Sequence, residues 1–347
     1  MNKTFVALIF LLTLPLLTGG QENAALSQAG ADPSPVAHVK TAPASGSART
    51  MAFTADDAAA VAEWQENLRE ALIDLLGVRK ALQAQPAPFN AQELSRQDRG
   101  SYWLRTIEID ATPARRMSVL LGISKSLPAQ KAPAVVCIHG HGGTAQSVYD
   151  GESIYKGFAA ALSSQGYITI AADVGQHEIF ESGNTLMGER LNDLVRCVDY
   201  LVSLSWVDNT RIGCAGLSLG GEMAMWLGAV DTRVAATVSA GFLTMMDQLE
   251  QNHCMCWKFE GLRELADFPD IYGLIAPRAL QCQIGRNEPP TQFNADLAGF
   301  AFSQVQAAYT AAGQPARAVL HLHEGGHEID LQALLAFLNA HIGDSRM

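Results

Sequence analysis

Apolar residues at Val61, Trp64, Leu68, Leu72 and Leu75 form one stripe at helical spacing, and Thr54 followed by Asp57 resembles a capping box that would start this helix. From about Tyr102 the period changes. "YWLRTIEID" and "RRMSVLLGIS" alternate or run apolar as strands do, and "APAVVCIHG" is a short apolar run that ends in His-Gly. Helical and strand patterns then follow one another. The helix-like "YKGFAAALSSQG" leads to "YITIAAD", and a long helix around residues 190–204 leads to "RIGCAG". A helix from about Leu219 to Leu227 leads to "VAATVSAG", and an irregular insertion separates that strand from "RALQCQIG". A helix near residues 293–311, the strand "RAVLHLHE" and a helix over Leu331–His341 complete the series.

Alternating apolar strands and helices predict an α/β fold: a mostly parallel central sheet with helices on both faces, fronted by two antiparallel strands and an N-terminal helical extension at about 51–100. No internal repeat or second linker interrupts Tyr102 to His341, so residues 51–347 are expected to form one domain. Ahead of it, Phe5–Leu17 is an apolar run of signal-peptide length behind Met-Asn-Lys, with small residues at Thr18, Gly19 and Gly20. Residues 1–20 read as a signal peptide and 21–50, rich in Ala, Ser, Pro and Gly, as a disordered linker. The expectation is a periplasmic or secreted protein with no stable membrane anchor once the leader is removed.

Composition narrows the classes. Of the 347 residues, 48% are hydrophobic and 17% charged, which provides for a large buried core and excludes a disordered chain. A formal net charge of -11, with no basic cluster beyond Arg79-Lys80 and Arg115-Arg116, argues against nucleic acid and anionic membrane surfaces as partners. Six cysteines do not make a disulfide framework here, because Cys137, Cys214 and Cys282 fall in strand runs and Cys197 in a helical pattern, the places of buried small hydrophobes. Oligomeric state is left open.

"GLSLG", Gly216 to Gly220, sets Ser218 between a strand and a helix, the arrangement of a nucleophile elbow. A serine hydroxyl needs a base oriented by a carboxylate. His327 in "HEGGHEID", between the last strand and last helix, is the candidate base, and Glu288 in "RNEPP" is the first carboxylate after "RALQCQIG". Asp296, next downstream, is the competing acid. "HGHGG", His139 to Gly143, is a glycine-rich loop after a strand, so the backbone N–H groups of His141 and Gly142, with that of Leu219, are candidates for an oxyanion hole. His139 is expected to order the loop rather than react. In the insertion "NHCMCWKFEGL", His253, Cys256 and Trp257 are candidate pocket residues, with Cys254 a further free thiol and core packing the competing reading. The pairs His139/His141 and His321/His323 lack a further ligand nearby in sequence, so no metal and no other cofactor is expected.

The elbow, "CIHGHGG", the order Ser218, Glu288, His327 and the phrase "FPDIYGLIAPRAL" together resemble the α/β-hydrolase superfamily, on the branch of dienelactone hydrolase-like and bacterial acetyl xylan esterase-like proteins. The likeness runs over roughly Phe53 to His341. It implies an α/β-hydrolase fold and a serine carboxylic-ester hydrolase working through an acyl-enzyme, on short-acyl (acetyl) esters of a carbohydrate, small or polymeric. Dienelactone hydrolases use a Cys nucleophile and such proteins usually carry Asp as the acid, whereas Ser218 and Glu288 stand here. A serine peptidase of the prolyl oligopeptidase type and a catalytically silent binding protein are the rivals.

Overall fold

The strands β4 (Ala132–Ile138), β5 (Ile168–Ala172) and β8 (Ala279–Gly285) are buried at every position, because each is covered on both faces and has no side left for polar residues. With β1 (Gln92–Asp98), β2 (Tyr102–Asp110), β3 (Arg116–Ser124), β6 (Val207–Leu217), β7 (Val234–Ala240) and β9 (Ala318–His323) they make one sheet in the order β1-β2-β3-β5-β4-β6-β7-β8-β9. Pairing is antiparallel from β1 through β3 to β5 and parallel from β5 to β9. The computed structural model describes residues 49–79, 88–127, 131–289, 291 and 293–343, all within one compact unit. The expected leader at 1–20, and the expected linker at 21–50 apart from Arg49 and Thr50, lie outside these residues.

Two apolar layers sandwich the sheet. On one face α2 (Phe158–Ser164) and α9 (Leu331–Ile342) bring Phe158, Leu162, Leu334 and Leu338 against Val135, Cys137, Leu217 and Val238. The other face carries α1 (Ala58–Leu76), α3 (Leu186–Ser203), α4 (Leu219–Val230) and α8 (Ala295–Ala311), whose buried residues form one apolar layer with Ala134, Val136 and Ile138. Successive β4 residues thus serve opposite layers, as a strand's period of two requires. Cys137, Cys197, Cys214 and Cys282 are buried in these layers, and all six cysteines are unpaired.

Among the described residues, the N-terminal extension holds the helix α1 and, nearer the domain, the strand β1. Asp57, not Thr54, caps α1, accepting from the N–H groups of Ala59 and Ala60, because Thr54 lies a full turn too early. Val61, Leu68, Leu72 and Leu76 are buried, and each contributes on the order of 1.5–3 kcal/mol. Gln65 and Arg69 fasten the helix further, donating to the carbonyls of Gly273, Ala276, Ala229 and Leu274. The strand β1 is exposed along its whole length, so "QELSRQD" carries no apolar period by which to recognise it.

Between β7 and β8 the insertion folds into α5 (Met246–Asn252), a 3-10 turn at Met255–Trp257, α6 (Leu262–Leu265) and α7 (Phe268–Gly273). It leaves the carboxyl end of β7, the same edge from which the loops after β4, β6, β8 and β9 emerge. In an open α/β sheet that edge, where strand order reverses, is where ligands bind.

Candidate active site

Ser218 closes β6 and opens α4 in a left-handed conformation, φ 63° and ψ −124°, that a non-glycine residue adopts only when its surroundings hold it there. The glycines on either side make the turn possible. A Cβ on Gly216 would come 2.2 Å from the Gly220 carbonyl oxygen, and one on Gly220 would come 2.3 Å from that of Ile138. The Ser218 N–H donates to the Ala240 carbonyl at 2.9 Å, which ties the turn to the end of β7.

The loops after β8 and β9 are laced together. Arg286 N–H donates to the His323 carbonyl and Asn287 N–H to that of Gly325, while the Asn287 side chain donates to the Glu324 carbonyl at 2.7 Å. This lacing delivers Glu288 to His327: Nδ1 of the imidazole donates to Oε1 at 2.9 Å and to Oε2 at 3.0 Å. The carboxylate side chain is 1% exposed and the imidazole 31%, so the carboxylate is sealed from solvent while the ring it holds stays accessible. A Cβ on Gly241, one residue past β7, would lie 2.8 Å from His327 Cε1, so the absence of a side chain there admits the ring. Asp296, the competing acid, stands exposed in the first turn of α8.

Opposite the elbow, Gly140 abuts Ser218, and the loop over His139–Gly143 is fixed from beneath. His139 is buried, donates from Nδ1 to the Gly140 carbonyl and accepts at Nε2 from the Val174 N–H at 3.0 Å. Tyr155 Oη accepts from the Gly140 N–H at 2.7 Å. Both contacts make His139 a strut between the loops after β4 and β5. The N–H groups of His141, Gly142 and Leu219 have no hydrogen-bond partner among the described residues, which leaves them available to an anion.

A wall of rings runs from the base to that loop. Phe293 stacks on His327 at 5.8 Å and meets the edge of His253 at 5.6 Å, and His253 lies 5.9 Å from His141. Phe293 gave no signal in the sequence, because nothing in an isolated Phe says which ring it will cover. Trp257, expected in the pocket, is instead fully buried against Phe268 in the core, since an indole of that size on a one-turn helix finds its cover inward. Cys256 is half-buried and His253 partly exposed on the site side.

Burial and positive neighbours shift the groups below this wall. His141 is pushed down to about 4, first by burial and then by His253, Arg190 and His177, so its imidazole is neutral at neutral pH. Burial lowers His253 and pushes the Cys256 thiol up to about 12. Glu222, one turn into α4, is pushed up to about 8 by burial, partly offset by Arg190 and the nearby Trp226 indole. The expectation that His141 has no further metal-ligand types near it does not hold in space, where His177, Cys254 and Cys256 surround it. The His321/His323 pair is different: His321 Nε2 is satisfied by Asp330 at 2.8 Å, and the rings stack on each other.

Known proteins share this architecture. A candidate acetyl xylan esterase of Bacteroides fragilis NCTC 9343 superposes with a TM-score of 0.66 at 19% identity, covering 84% of this chain and 87% of that one. The fold is that of the α/β-hydrolases. A glucuronoyl esterase from Solibacter usitatus matches this chain with a TM-score of 0.62 at 16% identity, over 86% of this chain and 96% of the other. In sequence, the prolyl oligopeptidase family model matches residues 155–261, a stretch that contains Ser218 but neither Glu288 nor His327. A candidate hydrolase, YtaP of Bacillus subtilis (strain 168), is 29% identical over 170 residues. That alignment takes in 42% of this chain and 57% of YtaP, so the chain matches little more than half of that relative's length.

Proposed function

We propose that this α/β-hydrolase is an exported serine hydrolase of carboxylic esters, with short-acyl, chiefly acetyl, esters of carbohydrates as its substrate class. The observation that carries the reading is the buried Glu288 carboxylate gripping His327 Nδ1, at the same sheet edge as a serine held on a strained turn. In this mechanism His327 Nε2 takes the Ser218 proton as Oγ attacks the ester carbonyl. The oxyanion is received by the N–H groups of Leu219, His141 and Gly142, and the imidazolium is steadied by Glu288. The protonated base then hands its proton to the leaving alcohol, and a water activated by the same base releases the acid from Ser218. None of these steps calls on a cofactor.

The carbohydrate part of the reading is supported by the names of the structural neighbours, an acetyl xylan esterase candidate and a glucuronoyl esterase. A prolyl-specific peptidase is the second reading, favoured by the family-model match over residues 155–261. Hydrolysis of aryl esters from acetyl to octanoyl, acetylated xylan, a glucuronate methyl ester and a proline peptide separates them. The acetyl aryl ester should be cleaved fastest and the rate should fall steeply with chain length, because a pocket shaped for a small acyl group cannot seat a long one without strain. Preference for octanoyl, or turnover of the peptide alone, contradicts the proposal.

Export belongs to the same reading. It is supported by the apolar run Phe5–Leu17, and no helix among the described residues is long and apolar enough to cross a membrane. Mature protein from the periplasm or medium should begin near residues 21–27, and an intact Met1 on secreted protein contradicts it.

A further inference from the structure

Four side chains with soft or borderline donor atoms converge beside the proposed oxyanion loop. His141 comes from the loop after β4, His177 from the loop after β5, and Cys254 and Cys256 from the insertion after β7. His141 Nε2 lies 3.2 Å from Cys256 Sγ, and His177 Nε2 lies 3.3 Å from Cys254 Sγ. All four donor atoms fall within 4.8 Å of one another. In a tetrahedral zinc site with bonds of about 2.0–2.3 Å, neighbouring N and S ligands stand roughly 3.5 Å apart. These two pairs are already near that edge length, and the remaining separations, none above 4.8 Å, leave modest side-chain movements to close the figure.

We propose that His141, His177, Cys254 and Cys256 form a four-coordinate zinc site that clamps the insertion onto the oxyanion loop. The two imidazoles lie side by side, ring centroids 5.4 Å apart and 29° between planes, and each turns its Nε2 to one of the two sulfurs. An outer partner is present as well: Arg190 directs Nη1 at Cys256 Sγ over 3.5 Å while its other amino group holds the carbonyl of Gln176, the residue before His177. A guanidinium aimed at a ligating sulfur stabilises its thiolate form and fixes its direction. The loop that carries His177 is itself pinned, because Glu189 accepts from the N–H groups of Phe180 and Glu181.

Chemistry selects the metal. Two thiolates and two imidazoles in tetrahedral array suit zinc better than calcium or magnesium, which require oxygen ligands. On binding, two thiol protons leave to solvent and the two thiolates neutralise the dication; no electron is transferred. With four protein ligands no position remains for water or substrate, so the role is structural. Cys254 and His177 are exposed, which provides the entry path, while Cys256 and His141 lie deeper. By fixing His141, the clamp holds the loop whose N–H groups would face the oxyanion.

The full chain, expressed in zinc-supplemented medium and dialysed against metal-free buffer, should retain about one zinc per chain by elemental mass spectrometry. Cobalt in its place should give thiolate-to-cobalt charge-transfer absorption and intense tetrahedral ligand-field bands. Cys254→Ser and His177→Ala should each weaken zinc binding by more than the ~10- to 100-fold that loss of an outer partner costs. Alkylation of the wild-type chain needs no variant: zinc should shield Cys254 and Cys256 from iodoacetamide, and a chelator should expose them. The proposal is overturned by a folded chain that takes up no zinc, by a cobalt spectrum without charge transfer, or by alkylation that zinc leaves unchanged. An intact mass two hydrogens short, mapped to a Cys254–Cys256 bridge without metal, also overturns it. Metal content is read without turnover, so this outcome is independent of the ester reading.

Discussion

A serine on a strained turn, a histidine admitted by Gly241 and a carboxylate sealed behind it differ in how openly the sequence announces them. Ser218 is flanked by the two glycines that its turn demands, and His327 follows two more. Glu288 was distinguishable from Asp296 only by order along the chain; in the structure the lacing of Asn287 to Glu324 and Gly325 brings Glu288 onto the imidazole, while Asp296 faces solvent. Glu288→Gln should therefore leave the fold intact and lower kcat by a large factor, on the order of 10⁴ as losing the triad carboxylate does in the best-studied protease. Asp296→Asn should stay within about tenfold of wild type. Steady-state kinetics on an aryl acetate reads both, and a crippled Asp296→Asn beside a mild Glu288→Gln reverses the assignment. The grouping of His177 with Cys254 was not legible, since residues 77 positions apart meet only because two loops leave the same sheet edge. Phe293 was silent for the same reason.

Elements were legible where burial imposes a period. The run "APAVVCI" is apolar throughout because β4 is covered on both faces, and the stripe of α1 repeats every three or four residues because one side is buried. Where burial imposes nothing, the reading failed: β1 is exposed at all seven positions, and the insertion's short helices offer less than two turns each of pattern. The start of α7 carries its own test. Asp267 caps this helix through Oδ1, which accepts from Phe268 N–H at 2.7 Å and from Met246 N–H at 3.0 Å. Burial raises its carboxyl from 3.8 to about 6. A raised carboxyl means that the native state favours the proton, so the stability linked to this group is full below about pH 4 and lost as pH rises through about 6. Asparagine keeps the accepting oxygen and cannot ionise. Asp267→Asn should match wild type near pH 4 and exceed it at pH 8, by up to about 3 kcal/mol. Urea midpoints at the two pH values check this, and a less stable variant at pH 8 shows that the cap's hydrogen bonds outweigh the cost of burying the charge.

For the whole molecule, the alternation of strands and helices after Tyr102 was enough to give a mostly parallel sheet with both faces covered. The order in which strands lie was not, because the reversal that sets β5 between β3 and β4 is decided by the handedness and packing of crossovers rather than by any residue. Parallel pairing gathers the ends of β4, β6, β7, β8 and β9 on one edge and so draws together residues as far apart as His141 and His327. The proposed function requires Ser218 to act as the nucleophile at this edge. Treating the full chain with a fluorophosphonate and mapping the adduct by peptide mass spectrometry tests it most directly. One adduct is expected, on the peptide carrying Ser218, absent from Ser218→Ala and formed more slowly by Glu288→Gln. A folded wild-type chain that takes no label, or takes it on another residue, contradicts a nucleophilic Ser218.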